Sequence, residues 1–94
     1  MAPEYFDDER GGTDTEARAK RQETRAMVEE ERAQRLEKDG MLMQVIILAW
    51  RGASTLWFLA AAAWENAGEN DKAEKAVRRA ENAAAEADRR KLLH

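Results

Sequence analysis

The stretch from Met41 to Trp64 reads MLMQVIILAWRGASTLWFLAAAAW, and it decides how this chain folds. Polar side chains interrupt it at only four positions, which are Gln44, Arg51, Ser54 and Thr55. A surface helix carries a polar face opposite an apolar one, and this stretch lacks a continuous polar face. It therefore predicts a helix over about 41–66 that must be buried against other protein or in a membrane.

The stretch before it predicts a charged helix. Thr13 and Glu16 have the spacing of a capping box, and residues 14–39 are rich in Glu, Arg, Lys, Gln and Ala, which favour helices. Apolar residues form only a thin stripe there, so we expect a charged helical arm over 13–40. Gly40 suits a helix C-cap or a hinge.

The stretch after it predicts a third helix over about 71–91. Asp71 and Glu74 again have cap spacing, and alanines recur at intervals of three and four residues. A face of alanines lets a neighbouring helix come close. With a turn at Gly68, we expect residues 41–94 to form an antiparallel helical hairpin. The residues expected to pack in it are Ala60, Ala61, Ala73, Val77 and Ala80.

Residues 1–12 predict a flexible acidic tail, because Asp7, Asp8 and Glu9 make it acidic and Gly11-Gly12 disfavours a helix. No alternating strand pattern occurs anywhere. The expected fold class is therefore all-α, with three helices at about 14–39, 41–66 and 71–91.

Composition excludes several kinds of site. The chain has 94 residues, a net charge of −3, no cysteine and a single histidine, His94, at its end. Disulfides and thiolate chemistry are excluded, and we expect no catalytic residue, no metal site, no cofactor and no small-molecule substrate. Basic residues are interleaved with acidic ones, so we expect no nucleic-acid partner. The acidic N-terminus does not resemble a signal peptide, and we expect a cytoplasmic protein.

Trp50, Trp57 and Trp64 are seven residues apart, so they fall near one stripe of the central helix. Tryptophan often anchors protein interfaces. We therefore expect a non-enzymatic interaction or assembly subunit that buries this helix in an oligomer or a larger complex. The residues expected to bind the partner are Met43, Ile46, Ile47, Trp50, Trp57, Phe58 and Trp64.

Residues 57–80 resemble a single tetratricopeptide repeat. That family begins with W-x2-L-G-x2-Y and places small residues on its second helix. This chain has Trp57-x2-Ala60-Ala61-x2-Trp64, then Gly68 in a turn, then Ala73-x3-Val77-x2-Ala80. It departs from the pattern in having Ala60-Ala61 for Leu-Gly and no closing proline. The resemblance implies an antiparallel helix pair that binds protein, without the family's carboxylate clamp, since Phe58 and Ala62 lie near the clamp positions.

A membrane interpretation stays open beside the soluble one. At about 1.5 Å per residue, residues 41–64 would measure about 36 Å, enough to cross a hydrocarbon core of about 30 Å. The alternative is thus a single-pass subunit of a membrane complex. Arg51 distinguishes the two, because an arginine near mid-membrane costs roughly 2.5–3.5 kcal/mol on insertion scales.

Overall fold

The computed structural model describes the backbone of residues 2–93 and the side chains of residues 14–93. Three helices account for nearly all of this chain: α1 is Ala2–Lys38, α2 is Met43–Asn66 and α3 is Asn70–Leu93. No strand occurs within residues 2–93. The prediction of an all-α fold with three helices is confirmed.

The first helix begins earlier than predicted. Because α1 is Ala2–Lys38, it includes the segment that was expected to be a tail and passes through Gly11-Gly12. Glycine inside a helix costs about 1 kcal/mol relative to alanine, which is why the pair predicted a break. The side chains of the predicted tail lie outside the described residues.

Both interhelical turns are closed by a glycine with positive φ. Gly40 has φ 76° and Gly68 has φ 79°, a conformation that costs glycine little. After α1, the Met41 N–H donates to the Leu36 carbonyl and the Gly40 N–H to the Glu37 carbonyl. The same pair of bonds recurs after α2, at Gly68 and Glu69. These are Schellman caps, and Gly40 is a cap as its position predicted.

The central helix packs against both of the others. Lys72 contacts Trp64 near one end of α2, and Arg90 contacts Trp50 near the other. Residue numbers thus fall along α2 as they rise along α3, which is the contact order of antiparallel helices. Contacts between α1 and α2 also run in reversed order, since Ala19 lies in the cluster of Trp64 and Ala33 in that of Trp50, so α1 and α3 point in the same direction.

Small residues bring the three helices together. Two clusters form the core, one around Trp57 and Trp64 and one around Trp50. The alanines that α1 contributes to them are seven residues apart and fully buried: Ala19, Ala26 and Ala33. A seven-residue spacing keeps one narrow stripe of a helix facing its neighbour. The arm predicted from sequence is therefore part of the core.

Candidate protein-interaction site

The tryptophan stripe of α2 is inside the molecule. Trp57 is 1 % exposed, Trp64 2 % and Trp50 6 %. The prediction that this stripe is exposed for a partner is wrong, because α1 covers the side of α2 that the hairpin with α3 leaves open. The same residue types suit a core and an interface, so the spacing alone did not separate the two.

Trp57 is held by one residue from each neighbouring helix. Its indole Nε1–H donates to Oε1 of Glu30 in α1 at 2.9 Å. The guanidinium of Arg79 in α3 lies 4.4 Å from the centroid of the indole ring. Arg79 also donates to the same Glu30 oxygen at 3.3 Å. Glu30 and Arg79 therefore close the core over Trp57 and link α1 to α3.

Trp50 is covered in a similar way by Arg90, whose guanidinium lies 5.2 Å from its ring centroid. Arg90 donates to the carboxylate of Glu37 through Nε at 2.8 Å and through Nη2 at 2.5 Å, a bidentate pair. Its Nη1 donates to the backbone carbonyl of Glu86 at 2.9 Å. Arg90 is itself buried. Its hydrogen bonds to Glu37 join the C-terminal end of α3 to α1.

These contacts shift two pKa values. The hydrogen bond from Arg90 lowers the pKa of the Glu86 carboxyl, opposed by desolvation and aided by Arg89. The hydrogen bond to Glu37 raises the pKa of Arg90, which is charged at every accessible pH. The ionised Glu86 carboxylate therefore stabilises the native state at neutral pH.

Two of the three indole N–H groups have no hydrogen-bond acceptor. The Nε1 atoms of Trp50 and Trp64 are buried and unpaired, in contrast to that of Trp57. Lys72 lies over Trp64, 4.6 Å from its ring centroid, but it offers only donors. Glu30 is therefore the acidic residue that satisfies an indole in this core.

A seven-residue repeat in α1 explains this arrangement, and it was missed in the sequence. The segments 16–19, 23–26 and 30–33 read EARA, ETRA and EERA. In each repeat the alanine packs against α2, and the arginine just before it is exposed at one side of that contact. The E-x-R-A pattern could have predicted that α1 packs along α2, because its seven-residue spacing matches that of the tryptophans.

The opposite side of α2 is exposed and partly apolar. Leu48 is 66 % exposed, Leu59 49 % and Phe58 47 %. At 100° per residue, Leu48 and Leu59 lie about 160–180° around the helix from Trp57. Together with Thr55 and Ala62, which are also exposed, these residues form what we call the outer face.

Charged residues that differ in their predominant sign border the two sides of the outer face. On the α1 side, Arg18 lines a groove with Leu59 and Ala62, and Arg25 lines one with Leu56. On the α3 side, Glu74 lines a groove with Phe58. The next residues at seven-residue spacing are Arg32 and Glu81, both exposed.

The remaining predicted residues are distributed over both sides of α2. Ile46 is buried, whereas Met43 and Ile47 are half-buried, and Phe58 lies on the outer face. Arg51 is exposed and makes no ion pair with a described residue. The five residues predicted to pack between α2 and α3 lie in or against one core cluster: Ala60, Ala61, Ala73, Val77 and Ala80.

Nothing in the described part of the chain groups three or more potential metal ligands. Helix α2 is the one described helix that is long and apolar enough to cross a membrane. The chain matches no protein-family model, no curated protein and no solved structure with which it was compared.

Proposed function

We propose that the chain is a non-enzymatic protein-interaction or assembly subunit that binds another protein through the outer face of α2. The observation that carries this proposal is the row of exposed Leu48, Phe58 and Leu59 on a helix whose other side is packed. Exposed apolar side chains that are grouped on a rigid element, with polar residues around them, are typical of interaction sites.

In this proposal the three tryptophans act indirectly. They fill the space between α1 and α3 and so hold α2 in a fixed orientation. A preorganised surface binds more tightly than a mobile one, because less conformational entropy is lost on association. The proposed partner-binding residues are therefore Leu48, Phe58 and Leu59, with half-buried Met43 and Ile47 at the margin.

The resemblance to a tetratricopeptide repeat fits the same proposal and stays a prediction. A single repeat cannot bury both of its faces, and repeat arrays need neighbouring units. In this chain α1 would take the place of one neighbour, and the bound partner would take the place of the other. We place this assembly in the cytoplasm.

The experiment compares the size of the native particle in cells that make the protein. We expect the tagged full-length chain to elute well above the size of its 10.7 kDa monomer. The double variant Leu48→Ser, Leu59→Ser should shift to monomer size. The control is Met27→Ser, which removes an exposed apolar side chain of α1 away from the outer face.

A monomer-sized wild-type particle would contradict the proposal. So would a double variant that assembles as the wild type does while circular dichroism shows the same helix content. Equal losses in the double variant and in Met27→Ser would show that the effect is not specific to the outer face.

The second candidate is a single-pass subunit of a membrane complex, favoured by the length and apolar character of α2. Against it stand the pairs Glu30–Arg79 and Glu37–Arg90, which lie beside α2 and would have to enter the bilayer with it. Buried ion pairs in hydrocarbon are costly. Recovery of the chain in the detergent-free soluble fraction would exclude this candidate, and a requirement for detergent would exclude the first.

A further inference from the structure

We infer that the outer face binds the same face of a second copy of this chain, with the two α2 helices parallel about a two-fold axis that runs along them. This inference rests on the proposed function and names its partner. Three observations carry it: the spacing of the outer-face residues, the signs of the flanking charges and the heights of those charges along the helices.

The outer-face residues have the spacing of a coiled-coil seam. Leu48, Thr55, Leu59 and Ala62 follow one another at intervals of seven, four and three residues. Two parallel helices with this spacing bring each residue of the seam next to its own copy. Thr55 and Ala62 are small, so the two helices can approach closely at those positions.

The flanking charges select the parallel arrangement. One side of the outer face carries Arg25 and Arg32 from α1, and the other carries Glu74 and Glu81 from α3, whereas Arg51 and Lys91 lie at the end near Leu48. A two-fold axis along α2 exchanges left and right, so that the arginines of each copy face the glutamates of the other. An axis across α2 would place arginine against arginine and glutamate against glutamate, which is unfavourable.

The heights of these charges also match. Glu30 and Arg79 are joined at 3.3 Å and so lie at one height in helices that run in the same direction. Arg25 precedes Glu30 by five residues, as Glu74 precedes Arg79. Arg32 and Glu81 each follow by two residues. Because a two-fold axis along the helices preserves height, each arginine meets a glutamate of the other copy.

The ion pairs that these residues make within one copy can be replaced by ion pairs across the interface. Arg32 lies 3.7 Å from Glu29, and Glu74 lies 3.8 Å from Arg78, each on its own helix. These pairs are long and solvent-exposed, and such pairs contribute little to stability. A pairing across the interface would replace them in less exposed surroundings.

The area of the face suits a stable dimer. Helix α2 has 24 residues, which is about 36 Å of length. The second dimension of the molecule is 23 Å. The product, about 800 Å², is the largest area that this side could bury, and it reaches the surface that each partner buries in a standard-size interface.

The first experiment uses the variant Leu48→Cys, since the chain has no other cysteine. In the parallel dimer the two introduced thiols are adjacent, and mild oxidation should cross-link most of the purified full-length protein. In an antiparallel dimer centred near Thr55 they would be about 20 Å apart, at about 1.5 Å per residue. The control Asn82→Cys, exposed on α3, should stay uncross-linked.

The second experiment reverses the charges and measures self-association by sedimentation equilibrium. Two double variants are used, Arg25→Glu with Arg32→Glu, and Glu74→Arg with Glu81→Arg. Each alone should weaken the dimer at least about tenfold, because like charges then face each other. An equimolar mixture should recover association to within about threefold of the wild type. The wild-type dimer should weaken as salt rises.

Failure of this inference can be told from failure of the proposed function. If the purified chain is monomeric but the native particle is large and depends on Leu48 and Leu59, the partner is a different protein and the homodimer is overturned. A purified dimer that strengthens with salt, or that cross-links equally through both cysteine variants, also overturns it. If the native particle is monomer-sized as well, the proposed function fails with it.

Discussion

Trp57 is the side chain on which all three helices converge, and its indole N–H is the one in the stripe that has an acceptor. Glu30 supplies that acceptor while it also pairs with Arg79. The ion pair is half-exposed on its Arg79 side, where water weakens it, and it contributes modestly by itself. Glu30 should therefore contribute to stability mostly by accepting the hydrogen bond from the Trp57 indole.

We predict that Glu30→Ala lowers the free energy of unfolding by about 1–3 kcal/mol, because it leaves a buried donor unpaired. Urea denaturation followed by circular dichroism measures this change. The matched control is Glu31→Ala, an exposed neighbour, which should change stability by less than about 0.5 kcal/mol.

A double-mutant cycle with Trp57→Phe tests the cause. Phenylalanine has no N–H to satisfy, so Glu30→Ala should cost much less in that background. Equal costs of Glu30→Ala in the two backgrounds would show that the hydrogen bond is not the source of the effect.

Glu86 predicts how stability changes with pH. Its pKa is lower in the folded chain than the ordinary value near 4.5, chiefly because Arg90 donates a hydrogen bond to it. The stabilisation from its charge is therefore complete above the pKa of the unfolded chain. It is lost as pH falls through that value and then through the lower folded one.

We accordingly expect Glu86→Gln to be less stable than the wild type at pH 7, and the difference to shrink as pH falls below the ordinary pKa of a glutamate and then through the lower folded pKa. Urea denaturation at several pH values measures it. In the control Glu31→Gln, the exposed carboxylate makes no ion pair with a described residue, and its difference from the wild type should stay small throughout. A gap at Glu86 that is independent of pH would contradict this account.

At the scale of the helices, α1 joins the core through a stripe only one alanine wide. Ala26 is fully buried and lies in the cluster with Trp57 and Trp64. A larger side chain there would push α1 away from α2, because closely packed interiors do not absorb added volume.

We predict that Ala26→Leu lowers the free energy of unfolding by about 1–3 kcal/mol, as overpacking commonly does. Alanine and leucine have similar helix propensity, so the backbone of α1 should be unaffected. The control Ala85→Leu makes the same change at an exposed position of α3 and should have little effect. If both variants unfold at the same urea concentration, α1 is not packed as described.

Sequence predicted the three helices and the glycine caps at their C-terminal ends better than it predicted their neighbours, although Thr13 and Glu16, predicted to cap the start of α1, lie inside that helix. The glycines at 40 and 68 and the alanine face of α3 carry local signals, because a cap and a small-residue stripe depend on nearby residues alone. The position of α1 depends on one alanine in seven, flanked by glutamate and arginine. Such a stripe buries little apolar area, so its polarity indicated a solvent-facing arm.

For the same reason, the candidate interaction site lies on the opposite side of α2 from the one predicted. The tryptophans were predicted to face a partner because a hairpin of α2 and α3 alone leaves them uncovered. Once α1 covers them, the residues left exposed are Leu48, Phe58 and Leu59. Of these, Phe58 was among the residues predicted to bind a partner, and Leu59 was not. Hydropathy predicted that α2 is buried. It did not predict which side of α2 is covered by the other helices of the chain.

At the scale of the whole molecule, Arg51 decides between an aqueous assembly and a membrane subunit. It is exposed beside Gln44 and Leu48 at the edge of the outer face. In an aqueous assembly, Arg51→Leu extends the apolar surface of α2, and the chain should stay in the soluble fraction and self-associate more strongly. In a membrane subunit, removal of a charge that costs roughly 2.5–3.5 kcal/mol should increase insertion.

We expect the first outcome, measured by fractionation without detergent followed by sedimentation of the soluble chain. Arg35→Leu is the control, because Arg35 is exposed on α1, makes no ion pair with a described residue, and its loss removes the same charge. If Arg51→Leu alone moves the chain into carbonate-washed membranes, α2 inserts, and Glu30, Arg79, Glu37 and Arg90 must then be sheltered by other subunits. If both variants remain soluble, the paired charges beside α2 keep it out of the bilayer, and its outer face is left to bind protein.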